Sequence, residues 1–256
     1  MTLHVVALGL LQGVAELLPI SSSAHVILLQ KFLGYDPSSA EMLFVLVMLH
    51  AGTMGAVIHR YVLGSRSLHA VRPAILATLL TLCGAALIKY GLAFFWHTEI
   101  ELLFRQTTFI SYGLLAVGLM MLCLPRHEGS KEVTMPSACA IGAIQVVSAA
   151  LRGFSRSGAT ISMALFLGIK RQYAEDFSFL LALLLTPFVL VHEIHRLWAL
   201  GALSWPLVEM GMLGALVAYG SGFVALRFLS QLIATDRFRY FGIYCLLFAI
   251  VNVIAS

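Results

Sequence analysis

Apolar positions in this chain come in long unbroken runs. Residues 41–58, 74–96, 107–124, 177–195, 207–226 and 238–255 carry few charges. At about 18 residues or more, each is long enough to cross ~30 Å of hydrocarbon as a helix. They predict six transmembrane helices. Two other regions break this pattern. Residues 4–18 and 24–33 are apolar but are parted by Pro19-Ile20-Ser21-Ser22-Ser23, and neither piece reaches the ~20 residues of a spanning helix. Residues 139–151 and 158–169 repeat the arrangement around Ser155-Arg156-Ser157-Gly158-Ala159-Thr160. Irregular backbone at membrane depth is tolerated only where protein or a watery cavity covers it. Both regions therefore read as re-entrant helix hairpins.

The two hairpins resemble each other. Gly9-Leu10-Leu11-Gln12 matches Gly142-Ala143-Ile144-Gln145 at an offset of 133 positions, which also lays Ser22 on Ser155 and Pro19 on Arg152. Glu16 falls on Ala149, so the copies have diverged chemically. Three predicted spans separate the hairpins, and an odd number turns the second copy over. The expected fold is an all-α integral membrane protein: six transmembrane helices plus two re-entrant hairpins in an inverted-topology repeat. It forms one membrane domain over 1–256, with 1–124 as the first repeat and 137–256 as the second.

Charge decides the expected orientation. Arg60, Arg66, Arg72, Arg126, Lys131, Lys170, Arg171, Arg227, Arg237 and Arg239 fall at one set of span ends; Lys31, Arg105 and Arg196 fall at the other. Lys89 is expected to snorkel. The richer side should be cytoplasmic. The first hairpin then enters from the outer face, the second from the cytoplasmic face, and both termini lie outside.

Composition agrees with a membrane environment. The chain is 60% hydrophobic and only 11% charged, against about 25% charged in soluble domains. A net charge of +4, spread over short loops, speaks for topology signals and not for nucleic-acid binding. Met1 to Gly9 lacks the charged region and cleavage site of a signal peptide, so the first segment is expected to stay in the mature protein. Cys83, Cys123, Cys139 and Cys245 stand singly in apolar runs and are expected to be small core residues.

The breaks hold the chemistry. Gln12 and Glu16 are four apart and share a helix face. A carboxylate inside a membrane is costly and faces a cavity or a partner, so Glu16 reads as a general base or a metal ligand, or else as a cap on the break's N–H groups. Ser21, Ser22 and Ser23 follow the helix-ending Pro19, with His25 in the next turn. A serine hydroxyl needs a nearby base to attack phosphorus, and Glu16 and His25 both qualify. Arg156 at the tip of the second hairpin demands an anionic partner: a phosphate held by its planar fork, or Glu16 in an internal ion pair. Ser157-Gly158-Ala159-Thr160 opens a helix, whose first N–H groups attract anions. His192, Glu193 and His195 lack the spacing of a metal motif and read as an interfacial belt with Arg196 and Trp198. His50, Gly52 and Thr53 read as span interior or cavity lining. No phosphate-binding loop of the ATPase type is present.

Gln12-x-x-x-Glu16, Leu18-Pro19-Ile20-Ser21-Ser22-Ser23-Ala24-His25 and Gly153-Phe154-Ser155-Arg156-Ser157-Gly158-Ala159-Thr160 resemble the undecaprenyl-diphosphate phosphatase family of the bacitracin-resistance type. Phe44, Leu49-His50-Ala51-Gly52-Thr53 and Phe177-Ser178-Phe179-Leu180-Leu181 are similar to its pattern, so the likeness covers nearly the whole chain. It implies hydrolysis of undecaprenyl diphosphate to the monophosphate and inorganic phosphate in the bacterial inner membrane, assisted by Mg²⁺ or Ca²⁺. Carried over, the catalytic residues would be Glu16, Ser22, His25 and Arg156. The substrate would meet Gln12, Ser21, Ser23, Ser155, Ser157, Gly158, Thr160 and Arg152, with the cation at Glu16 and Gln12. The implied partners are the polyprenyl diphosphate lipid, the bilayer and, if it pairs, a second copy in a homodimer; no nucleic acid is expected. Arg152 departs from the family's usual Pro, Ala24 from its Gly and Asp176 from its Glu. The rival reading is a transporter or flippase of polyprenyl phosphates, since inverted repeats and broken helices also build transporters.

Overall fold

The computed structural model describes residues 2–63, 70–96, 107–199, 201, 203–234 and 237–254. Arg66, Arg105 and the side chain of Lys89, used above for orientation, lie outside the described residues. Ten helices follow in order among those described: α1 (Thr2–Leu17), α2 (Ser22–Phe32), α3 (Ala40–Leu63), α4 (Val71–Trp96), α5 (Thr107–Leu122), α6 (Met135–Ala150), α7 (Arg156–Phe166), α8 (Arg171–Ala199), α9 (Trp205–Ala234) and α10 (Arg239–Ile254). The only extended pairing among the described residues is a single parallel bridge between Lys131 and Ile169.

Segments of α3, α4, α8 and α9 are long and apolar enough to cross a bilayer; α1, α5, α6 and α10 are apolar but shorter. Large hydrophobic side chains such as Leu87, Val191, Leu216 and Leu247 stand on the outside of these helices, as lipid-facing positions require. The chain is a multi-pass all-α membrane protein. The expectation for cysteine fails for three residues: Cys83, Cys123 and Cys139 are exposed and only Cys245 is buried. Lipid tails are as apolar as a protein core, so an apolar run does not tell an inward position from an outward one.

Two compact units are present, each assembled from separated stretches of chain. The first comprises 1–18, 25–66 and 182–229; the second comprises 19–24, 67–181 and 230–256. In the first unit a stripe of small residues on α9 receives α1 and α3. A Cβ on Gly13 would stand 1.9 Å from Ser221 Oγ and 2.5 Å from the Ala218 carbonyl oxygen, and one on Gly52 only 2.0 Å from the Ala215 oxygen. Close backbone approach of this kind drives association where lipid removes the hydrophobic gain. Ser221 Oγ also donates to the Gly9 carbonyl at 3.2 Å. Val5, Leu8, Met42, Phe44, Leu49 and Leu197 fill the neighbouring core.

The second unit packs α4 on α6, α6 and α5 on α7, and α5 on α10. Buried polar pairs tie these contacts. Gln145 Nε2 donates to Thr81 Oγ1 at 3.0 Å, and Asn252 Nδ2 donates to Ser111 Oγ at 2.6 Å. α6 begins with a capping box in which Thr134 and Ser137 satisfy each other's backbone N–H groups. The segment before it pairs with the end of the second hairpin: Lys131 N–H donates to the Gly168 oxygen and Lys170 N–H to the Lys131 oxygen, both at 3.0 Å.

Candidate functional site

Both breaks form where the sequence places them. α1 stops at Leu17, as the proline at 19 disfavours helical conformation in the residue before it, and α2 starts on Ser22. Ser21 between them has φ 68 and is the only non-glycine residue with positive φ among those described. An L-residue in that region carries about 1–2 kcal/mol of strain, and such outliers cluster at functional sites. Its hydroxyl lies 3.3 Å from that of Ser23. Cys245 Sγ of α10 contacts the Pro19 carbonyl oxygen at 3.7 Å. Ser22 and His25 are both buried, and their spacing of three puts them on one face of α2.

On α1, Gln12 is fully buried and donates through Nε2 to Glu16 Oε2 at 3.3 Å. The same carboxylate oxygen lies 3.6 Å from His50 Nε2 on α3. His50 Nδ1 contacts the Leu46 carbonyl oxygen at 2.8 Å. A carbonyl only accepts, so Nδ1 carries the hydrogen and Nε2 is the atom turned to Glu16. Sequence reasoning left His50 among span or cavity residues; only folding brings α3 to α1. Gln12 Oε1 is buried with no hydrogen-bond partner. An amide oxygen beside a carboxylate is the hard-oxygen pair that Mg²⁺ or Ca²⁺ takes, so these residues fit the cation that the resemblance implies. No group of three or more His, Cys, Asp or Glu able to hold a metal occurs among the described residues, His192, Glu193 and His195 included. Glu193 pairs instead with Arg196 at 3.8 Å.

The second break turns on Gly153, φ 86, after α6 ends with Leu151 in extended conformation. Ser155 caps α7, its Oγ accepting from Gly158 N–H at 3.2 Å, and lies 3.4 Å from Ser157 Oγ. The Gly158 N–H is thus used within the hairpin. A Cβ at Gly158 would meet Val117 at 3.0 Å and Ser155 at 3.2 Å, so this glycine lets α7 close on α5. Thr160 Oγ1 is likewise engaged, donating to the Arg156 carbonyl at 2.8 Å and lying 2.7 Å from Ser178 Oγ. Ser178 buttresses the break from α8, a role that single-residue reasoning did not assign. Arg156 is the first residue of α7 and is partly exposed, whereas Arg152 is exposed. Gln12, Glu16, His25 and His50 belong to the first unit, and Ser21–Ser23 and Ser155–Thr160 to the second.

Comparison with known proteins bears on what these groups do. The model of the bacitracin resistance protein BacA family matches residues 5–251. The chain is similar to undecaprenyl-diphosphatase 2 of Acinetobacter baylyi (strain ATCC 33305 / BD413 / ADP1), with 41% identity over 278 residues that cover 96% of this chain and 95% of that protein.

Proposed function

Because the chain belongs to the bacitracin resistance protein BacA family, we propose that its two helix breaks share the work of one phosphatase reaction. The chain is an enzyme that hydrolyses undecaprenyl diphosphate to undecaprenyl phosphate and inorganic phosphate. That reaction returns the lipid carrier to cell-wall synthesis and accounts for bacitracin resistance as the family's hallmark. Family and relative both speak for hydrolysis over transport.

The observation that carries the division of labour is the position of Arg156. A cation on the first residue of a helix opposes the helix dipole, and an anion in front of it reverses that penalty. We assign the terminal phosphate of the substrate to that place, gripped by the guanidinium fork. Ser22 Oγ attacks the terminal phosphorus while Glu16 or His25 takes its proton. The bond from phosphorus to the bridging oxygen breaks, undecaprenyl phosphate leaves, and water then releases phosphate from the serine. Gln12 Oε1 and Glu16 would hold a divalent cation, which offsets charge on the diphosphate. Ser21, Ser23, Ser155 and Ser157 supply hydroxyls to the phosphate oxygens, and the prenyl tail lies along the lipid-facing surface. The charge bias supports an enzyme of the bacterial inner membrane working from the periplasmic side.

Arg156→Ala should lower kcat/KM for phosphate release from undecaprenyl diphosphate by about 10²- to 10³-fold, as expected for loss of an electrostatic clamp. Arg156→Lys should recover only part of it, because an ammonium lacks the bidentate fork. Near-normal kcat/KM in Arg156→Ala would remove the phosphate from that position. For the cation, Gln12→Leu should raise the Mg²⁺ or Ca²⁺ concentration needed for half-maximal activity by about tenfold, the scale on which single ligand-shell changes act. An unchanged metal titration in the variant would take the cation away from α1.

A further inference from the structure

The run Leu49-His50-Ala51-Gly52-Thr53 of α3 carries an imidazole that the reaction steps leave without a task. Its surroundings hold it still. Gly52 brings α3 against the backbone of α9 at Ala215, and Thr53 Oγ1 donates to the His50 carbonyl oxygen at 2.9 Å. The ring is fixed as well, with Nδ1–H on the Leu46 carbonyl oxygen at 2.8 Å. His4 and His59 differ. Each sets Nδ1 against a tyrosine hydroxyl, which can donate or accept and so leaves the tautomer open. A histidine that ligates a metal has the arrangement of His50: one ring nitrogen donates to a carbonyl or carboxylate, and the other points its lone pair at the ion.

What that lone pair faces is another acceptor. Nε2 lies 3.6 Å from Glu16 Oε2, too far for a hydrogen bond. Two atoms bound side by side to one Mg²⁺ or Ca²⁺ stand about 3–4 Å apart, given ion–ligand distances of about 2.0–2.6 Å. Gln12 Oε1, one helical turn before Glu16 on α1, is buried with no hydrogen-bond partner. An imidazole nitrogen, a carboxylate and an amide oxygen thus belong to one connected group on α1 and α3, within the first compact unit. Each offers a lone pair.

We propose that His50 Nε2 is a third protein ligand of the divalent cation, beside Gln12 Oε1 and Glu16. The inference rests on the cation assigned to α1 and adds to it a residue from α3. A neutral imidazole supplies a ligand without adding negative charge, so the ion keeps more of its charge for the diphosphate.

The test uses the full-length chain, purified in detergent and stripped of metal with a chelator, with Mn²⁺ as the paramagnetic probe. Mn²⁺ is titrated by calorimetry, and pulsed electron paramagnetic resonance of the loaded protein reads whether a nitrogen is bonded to the ion. Wild type should bind Mn²⁺ saturably and show a bonded nitrogen. His50→Ala and His50→Gln should each lose the nitrogen signal. His50→Ala should also weaken Mn²⁺ by about tenfold or more, since even outer-shell changes act on that scale. His50→Gln offers an oxygen at similar reach and should recover part of the affinity without the nitrogen, which separates loss of the ligand from loss of the fold. Glu16→Gln is the control for the site itself. Mn²⁺ that does not bind wild type, or binds unmoved by Glu16→Gln, takes the cation from α1 and the inference with it. Suppose instead that Glu16→Gln weakens the site, but the nitrogen is absent in wild type, persists in the His50 variants, or full Mn²⁺ affinity survives in His50→Ala. The cation then stays on α1, and the role of His50 alone is overturned.

Discussion

Ser22→Ala should abolish release of phosphate from undecaprenyl diphosphate, with kcat falling by at least about 10³-fold, the scale seen when a nucleophile is removed from an otherwise intact site. Binding of the lipid should persist, because Arg156 and the remaining hydroxyls do not depend on that oxygen. The place of Ser22 on the first turn of α2, on the face that carries His25, argues for this serine among the three. A radiolabelled terminal phosphate should remain on the lipid after incubation with the variant and appear as free phosphate with the wild type. Wild-type turnover in Ser22→Ala would transfer the attack to His25 or to water.

Gly153→Ala should cost the protein its second hairpin. The residue has φ 86, and an added Cβ would lie 2.0 Å from the carbonyl oxygen of Ile110 on α5. Left-handed strain of about 1–2 kcal/mol is thus compounded by a backbone collision that neither partner relieves by rotating a side chain. A loss of about 3 kcal/mol or more is expected, in the range reserved for strain at special backbone positions. Thermal unfolding of the detergent-purified variant should show it as a lowered midpoint or as failure to accumulate. Gly220→Ala is the matched control, since nothing lies within 4 Å of a Cβ built there. Equal midpoints for Gly153→Ala and wild type would mean that the turn tolerates a side chain.

The coarse architecture was legible because a membrane imposes a length rule on apolar runs. All the runs and half-runs became helices, and both serine-rich breaks fell between α1 and α2 and between α6 and α7. The interior of the site was less legible. Gln12 and Glu16 could be paired from their spacing, but His50 reaches Glu16 only through the packing of α3 on α1. The glycine and threonine of the second motif read as contacts for an anion. What the sequence did not show is that the Gly158 N–H also meets the Ser155 hydroxyl and the Thr160 hydroxyl also meets Ser178. A sequence shows which polar groups exist and not which neighbours the fold gives them. The cysteines failed for the opposite reason, since apolar surroundings on both sides of a membrane helix erase the inward signal.

The small-residue face of α9 has a consequence for biosynthesis. Translation delivers α1 and α3 long before it delivers α9, so the notches at Gly9, Gly13 and Gly52 must wait in the bilayer with lipid against them until the late helix is released from the ribosome. The first compact unit is therefore completed by a post-insertion docking step, and a nascent chain arrested before Trp205 would display an unsealed seam to the quality-control proteases of the membrane.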